Sequence, residues 1–193
     1  MIKLHDKQFY NDNFDKDEYR NAQIKRHKAK ANKKRKEEHY MGCVKNISHL
    51  VQKESDMICM GTRNNHERDV FQKGLLDFNV KVYSLDISPS SKADYIIDFN
   101  NMPDDWNNKW DILFSNSLDH SIDATEVFYK WIGVTKPNGI LVIGFDKNDV
   151  LTEADCCTFD SNTVDSFMKS NNDKFEFIDC FDNSYVYYVL RKK

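Results

Sequence analysis

The residues of this chain best suited to chemistry stand where short apolar runs end. Met57-Ile58-Cys59-Met60 stops at Gly61, and Val80 to Leu85 stops at Asp86. Tyr95-Ile96-Ile97 stops at Asp98, and Trp110 to Phe114 runs into Ser115 and Asn116, with Asp119-His120 close behind. Carboxylates accept hydrogen bonds from hydroxyls and amines, and such charge-assisted bonds are the strong kind. An imidazole exchanges a proton near neutral pH.

The elements that position these residues follow from periodicity. Met41, Val44, Ile47, Leu50 and Val51 recur at helical spacing and predict an amphipathic helix over 41–53. Val70, Phe71, Leu75 and Leu76 give a second helical face over 67–77, and Val127, Phe128, Trp131 and Ile132 a third over 124–134, capped by Asp123. Lys136-Pro137-Asn138-Gly139 reads as a turn before a fifth strand, Ile140 to Ile143. Thr163 to Lys169 is a short helix. Phe175 to Cys180 and Tyr185 to Leu190 are β-rich runs around Asp182-Asn183-Ser184, an antiparallel hairpin. Strands alternating with helices predict an α/β fold: an open, mostly parallel sheet closed by that hairpin. Ligands of such sheets gather at the carboxyl ends of the strands.

The chain has 193 residues, enough for one core without disulfides or metals. Two segments are expected, an N-terminal basic helical arm over 1–40 and an α/β domain over 41–193. Mean hydropathy is -0.72, no apolar run reaches membrane-spanning length, and Met1 to Tyr10 lacks the apolar centre of a signal peptide. Five cysteines without a C-x-x-C pair suit free thiols in the cytoplasm, and the six histidines show no metal-ligand spacing with them. Residues 1–40 carry a formal charge of +5 and residues 41–193 one of -8. Lys25 to Lys36 holds eight Lys and Arg and no acid. The expectation is a helical, mobile arm over 16–38, lying outside the core and able to hold nucleic acid or another anionic partner.

In order and spacing, Ile58-Cys59-Met60-Gly61-Thr62-Arg63, Ser115-Asn116-Ser117-Leu118-Asp119-His120 and Lys136-Pro137-Asn138-Gly139 resemble the class I S-adenosylmethionine-dependent methyltransferases, over roughly residues 56–146. The resemblance implies a Rossmann-like sheet of the methyltransferase type and S-adenosyl-L-methionine as cofactor. It puts Asp86 and Ile87 at the ribose, Asp98 and Phe99 at the adenine, and Gly61, Thr62, Arg63 and Glu67 around the methionyl group, with Ser115 and Asn116 beneath the sulfonium. Arg63 would pair with the carboxylate and Glu67 with the ammonium. His120 would be the general base and Asp119 its orienting partner. Asp86, at a solvent-facing strand end, should be dispensable for folding. The loop 61–67 departs from the family pattern in having one glycine, so Asn64 or Asn65 is expected to take a positive φ.

The acceptor stays open among small molecules, saccharides and RNA. Asn116 lacks the Pro-Pro-aromatic sequel of methyltransferases that act on adenine or glutamine amino groups, which leans away from those substrates. The irregular stretch from Asn148 to Asp165 and the arm are the expected substrate determinants. A catalytically silent module, binding nucleic acid through the arm, is the alternative. An NAD-dependent enzyme is a weaker one, since Gly61 stands without the rest of G-x-G-x-x-G.

Overall fold

A computed structural model describes residues 2–10, 15–146, 150–182 and 185–193. Its centre is a seven-stranded sheet in the order β4-β3-β2-β5-β6-β9-β8. The strands are β2 (Asp56–Met60), β3 (Lys81–Asp86), β4 (Tyr95–Ile96), β5 (Trp110–Ser115), β6 (Thr135–Phe145), β8 (Phe175–Asp182) and β9 (Val186–Lys192). The first five run parallel, and β9 is antiparallel to both β6 and β8. The expected α/β sheet with its closing hairpin is therefore present; Asn183 and Ser184 of the hairpin turn lie outside the described residues. A second, two-stranded pairing joins β1 (Lys7–Gln8) to β7 (Cys157–Thr158), which sequence periodicity did not indicate.

Side chains alternate across a strand, so each apolar run feeds two cores. Ile58, Met60, Leu113, Leu141 and Ile143 point to one face, where they meet Phe128 and Trp131 of α4 (Ala124–Val134) and Phe167 of α5 (Ser161–Ser170). Met57, Cys59, Ile112, Phe114 and Val142 point to the other, against α2 (Glu37–Ile47) and α3 (His66–Gly74). Runs buried on both faces read as continuous hydrophobic stretches, which is why the central strands β2, β5 and β6 were visible in the sequence.

Two differences have physical causes. Lys136-Pro137-Asn138-Gly139 does not separate a helix from a strand; it lies within β6 as a bulge. The pairing of β6 with β5 jumps from Trp110–Thr135 to Ile112–Ile140, and Asn138 takes a φ of 63°. The basic arm is not one helix. α1 (Lys16–Lys30) begins at Asp15, whose carboxylate accepts from the backbone N–H groups of Asp17 and Glu18. A fresh helix, α2, starts after Lys36 with Glu37 and Glu38 in its first turn, where acids suit the helix dipole. The four consecutive cations Lys33 to Lys36 lie in the connection between them, where the chain is not helical and like charges are not stacked on successive turns.

Nor does α1 lie outside the core. Tyr19, Ala22, Gln23 and His27 form a buried face, a helical stripe pressed onto the carboxyl edge of the sheet. Among the described residues no helix is long and apolar enough to cross a membrane. Cys43, Cys59, Cys156 and Cys157 are buried and Cys180 is exposed, and none of the five is in a disulfide.

Candidate functional site

The site forms where the strand order reverses. β2 connects outward to β3, and the chain later returns to lay β5 on the other side of β2, so the ends of β2 and β5 part at a crevice. Gly61 leaves β2 there with φ +73°, and a Cβ at this position would come within 2.8 Å of the Ser117 side chain. Glycine answers both demands. The loop continues with Arg63 at φ 41° and Asn65 at φ 60°. Of the two asparagines expected to supply a positive φ, Asn65 does so, and Arg63 joins it.

Two cavities open on either side of Gly61 and Arg63. The narrow one, about 40 Å³, is lined by Asp86, Ile87, Asp98 and Phe99 from the sheet and by Tyr19, Gln23 and His27 from α1. It holds water at most, since a nucleobase is several times a water's volume. Asp86 is buried, contrary to the solvent-facing position expected of it. Its Oδ2 accepts from the Arg63 backbone N–H at 2.9 Å and its Oδ1 from that of Ser88 at 2.7 Å. His27 Nδ1 lies 3.2 Å from the same Oδ1. Asp98 Oδ1 accepts from the backbone and side-chain nitrogens of Asn100 at 2.9 and 2.7 Å, which commits one oxygen to the turn. Phe99 stands edge-on to Trp131, their ring centres 5.6 Å apart.

The wide cavity, about 470 Å³, takes in Glu67, Asn116, Ser117, Asp119 and His120 at its floor. His120 borders both cavities. Its Nδ1 donates to the Ala154 carbonyl at 2.8 Å, which leaves Nε2 with the lone pair. Asp155 Oδ1 lies 3.1 Å and Asp119 Oδ2 3.7 Å from Nδ1. Burial pulls the imidazole pKa down, but the two carboxylates outweigh it and the net shift is upward. Burial likewise raises the Asp119 carboxyl, only partly offset by His120. Asp155 is partly buried, which raises its carboxyl, yet His120 and Arg26 hold it well below the usual range. Arg26, from α1, is hydrogen-bonded to Asp155 Oδ2.

Asp119, His120 and Asp155 bring ligand-type atoms within 4.8 Å of one another, a grouping that histidine–cysteine spacing could not reveal. Arg26 already supplies this cluster with a positive charge. At the other side of the floor Glu67 sits in the first turn of α3. Burial pushes its carboxyl up to about 7, against the pull of its own backbone N–H and of Arg63.

The sequence-derived residues thus divide. Gly61, Arg63, Glu67, Asn116, Asp119 and His120 line the wide cavity, and Asp86, Ile87, Asp98 and Phe99 the narrow one. Thr62 and Ser115 reach neither. The Thr62 hydroxyl donates to Asn65 Oδ1 at 3.1 Å, and that of Ser115 donates to the Met60 carbonyl at 3.4 Å. Both shape the loops from within. Sequence reasoning missed Asp155, Arg26 and His27 as partners of the central residues. Asp155 lies in the irregular stretch 148–165, whose residues 148 and 149 fall outside the described part, and no periodicity marks it. Arg26 belongs to the basic run, and His27 within it carries no spacing signal of its own.

No family model matches this sequence, and no curated protein matches it. Solved structures do match in fold. A 1,6-didemethyltoxoflavin-N1-methyltransferase of Burkholderia thailandensis, with bound 1,6-didemethyltoxoflavin and S-adenosylhomocysteine, superposes with a TM-score of 0.70 at 12% identity, over 96% of this chain and 94% of that one. A SAM-dependent methyltransferase from Aquifex aeolicus matches with a TM-score of 0.57 at 14% identity, over 76% and 87%. The [4+2]-cyclase SpnF matches with a TM-score of 0.60 at 12% identity, over 79% and 80%. The chain has the Rossmann-like fold shared by several S-adenosylmethionine-dependent methyltransferases, and the cyclase illustrates that this fold hosts more than one chemistry.

Proposed function

We propose that the protein is an S-adenosylmethionine-dependent methyltransferase whose general base is His120. The observation that carries the reading is the pairing of two chemistries across Gly61: buried Asp86 with Asp98 and Phe99 on one side, and His120 between two carboxylates on the other. Bound S-adenosylmethionine would supply an electrophilic methyl group. Asp86 would accept from the ribose hydroxyls, Asp98 Oδ2 from the adenine amine, and Ile87 and Phe99 would pack the base. Arg63 would hold the methionyl carboxylate and Glu67 the ammonium. Gly61, Thr62, Ser115 and Asn116 would form the backbone floor. His120 Nε2 would take the proton of an oxygen or nitrogen acceptor, with Asp119 and Asp155 stabilising the imidazolium that results.

The narrow cavity requires α1 to yield before a nucleoside enters, because His27 occupies the Asp86 carboxylate. That same contact favours a second reading, a methyltransferase-like binding module without turnover. Calorimetric titration of the full chain with S-adenosylhomocysteine and, separately, with NAD decides between them. The methyltransferase reading expects binding of the first and not of the second. Absence of S-adenosylhomocysteine binding favours the module, and preference for NAD replaces both.

A further inference from the structure

The basic run Lys25 to Lys36 divides by which residues face the wide cavity. Arg26, Lys30, Lys33, Lys34 and Arg35 line the wide cavity, while Lys25, Lys28 and Lys36 do not. A run that served solubility alone would have no reason to turn five of its eight cations toward one cleft.

Not all of these charges are consumed inside the protein. Arg26 is paired with Asp155, and Arg35 lies over the Tyr185 ring at 4.2 Å. Among the described residues, Lys30, Lys33, Lys34 and Arg63 have no carboxylate within salt-bridge distance. Lys30 is crowded: partial burial lowers its pKa, and Arg26, Arg63 and Lys33 lower it further, against a smaller pull from Asp155. Such a cluster of like charges around a cleft is the arrangement that an incoming anion relieves.

The cofactor cannot account for it. S-adenosylmethionine offers one carboxylate, for which Arg63 suffices, and its ammonium and sulfonium add positive charge. The cavity's six Lys and Arg outnumber its four carboxylates, Glu67, Asp119, Asp146 and Asp155, and Lys30, Lys33, Lys34 and Arg35, in no ion pair among the described residues, are left for the second ligand. Size narrows the class. A cavity of about 470 Å³ falls in the small-molecule range, and its floor residues Ser117 and Asp119 are buried. The tyrosine rings that line this cavity, Tyr40 and Tyr185, are buried, so among the described residues the cavity presents no exposed tyrosine for stacking bases.

From this geometry, and resting on the methyltransferase reading above, we infer that the acceptor is a phosphorylated small molecule. Lys30, Lys33, Lys34 and Arg35 grip its phosphate at the mouth of the cleft, and its nucleophilic atom is turned toward His120. The cofactor, when bound, would supply the methyl group to that atom, its sulfur keeping the bonding pair. The acceptor proton goes to His120 Nε2, and no further reactant is needed.

The test uses the full chain saturated with S-adenosylhomocysteine and inorganic pyrophosphate as the probe, titrated calorimetrically at near-physiological salt. Lys33→Ala/Lys34→Ala should weaken pyrophosphate binding about tenfold or more, as for lost charged contacts. Lys25→Ala/Lys28→Ala removes the same charge from the outer face and should change it by no more than about twofold, since exposed charges at a distance are screened. Equal weakening in the two double variants overturns the inference. So does a single-stranded RNA oligonucleotide that binds more tightly than pyrophosphate and depends on Lys25 and Lys28. Binding of S-adenosylhomocysteine without any of pyrophosphate overturns the phosphorylated acceptor and leaves the methyltransferase reading standing. Pyrophosphate binding through Lys33 and Lys34 with none of S-adenosylhomocysteine overturns the acceptor role together with that reading, and leaves an anion site alone.

Discussion

The two cavities share a wall but are built on opposite principles. The narrow one is assembled from strand ends, with Asp86 and Asp98 as its charged groups on the sheet side and His27 facing them. The wide one has a floor of strand-end residues and a rim of cations from α1 and the connection after it. The sheet thus provides the strand-end part of both cavities, and the N-terminal segment provides much of what differs between them. Along a single helix, His27 closes the narrow cavity, Lys30 edges the wide one, and Arg26 borders both. The lesson concerns helical periodicity. Residues close in sequence face separate cavities because successive side chains are rotated by roughly 100°.

Substitution on the wide side should give the largest effect. His120→Ala is expected to slow methyl transfer to an identified acceptor by ~10²–10⁴-fold, the usual contribution of a positioned base. Affinity for S-adenosylhomocysteine should hardly change. If it falls as steeply as the rate does, the two cavities do not divide the work in this way.

The narrow side comes next. Asp86→Ala should weaken S-adenosylhomocysteine binding by ~30- to 1000-fold, from the loss of two charge-assisted bonds worth about 2–4 kcal/mol together after water fills in. It should also lower the melting temperature, because the Arg63 and Ser88 N–H groups lose their acceptor. Asp86→Asn retains a carbonyl acceptor and should recover more of the stability than of the affinity. Equal recovery of both would assign Asp86 to the loop and not to a ligand.

A smaller effect sharpens the role of the floor. His120 must be neutral to accept a proton, and its pKa is raised. The rate should therefore climb with pH to a midpoint above the ordinary ~6.5 of histidine. Asp155→Asn removes one raising carboxylate and leaves Arg26 beside the ring, so the midpoint should move to lower pH. A midpoint that stays put separates Asp155 from the base.

Glu67 gives the smallest signal. Its carboxyl titrates at about 7 in the folded protein, against 4.5 for the unperturbed group. A cationic ammonium placed beside it would lower that pKa, so cofactor binding near neutral pH should release up to one proton, seen as a dependence of the calorimetric heat on buffer ionisation. Affinity should rise with pH through about 7. The sign for stability is opposite. An acid with a raised folded pKa favours folding less as pH rises from its unfolded to its folded value, so Glu67→Gln should stabilise the protein above pH 7 by ~2–3 kcal/mol. Heat that is independent of the buffer would remove Glu67 from the ammonium.

Much of the architecture was legible because buried parallel strands announce themselves as apolar runs, and residues such as Gly61, Asp86 and Asp98 mark where those runs stop. The loop 61–67 was legible in part: its Asn65 has the positive φ expected of an asparagine there, whereas the left-handed Arg63 has no compositional signal. The bulge within β6 was not legible, since Pro137-Asn138-Gly139 carries the same turn chemistry whether it interrupts a strand or precedes one.

By itself the sequence determined the type and order of the elements of the main sheet and the set of polar groups delivered to one edge of it, because these depend on local periodicity and on where it breaks. Only the tertiary structure decided which of those groups meet. Asp155 reaches His120 across 35 residues, and Arg26 reaches Asp155 across 129. The face of α1 that docks is Tyr19, Ala22, Gln23 and His27, too polar to register as a hydrophobic stripe. Its burial rests on specific partners, with the Tyr19 hydroxyl donating to the His120 carbonyl at 3.1 Å and the Gln23 amide to that of Ala154 at 2.8 Å. Such directional contacts exist once both chain segments are in place, and no spacing along the chain encodes them.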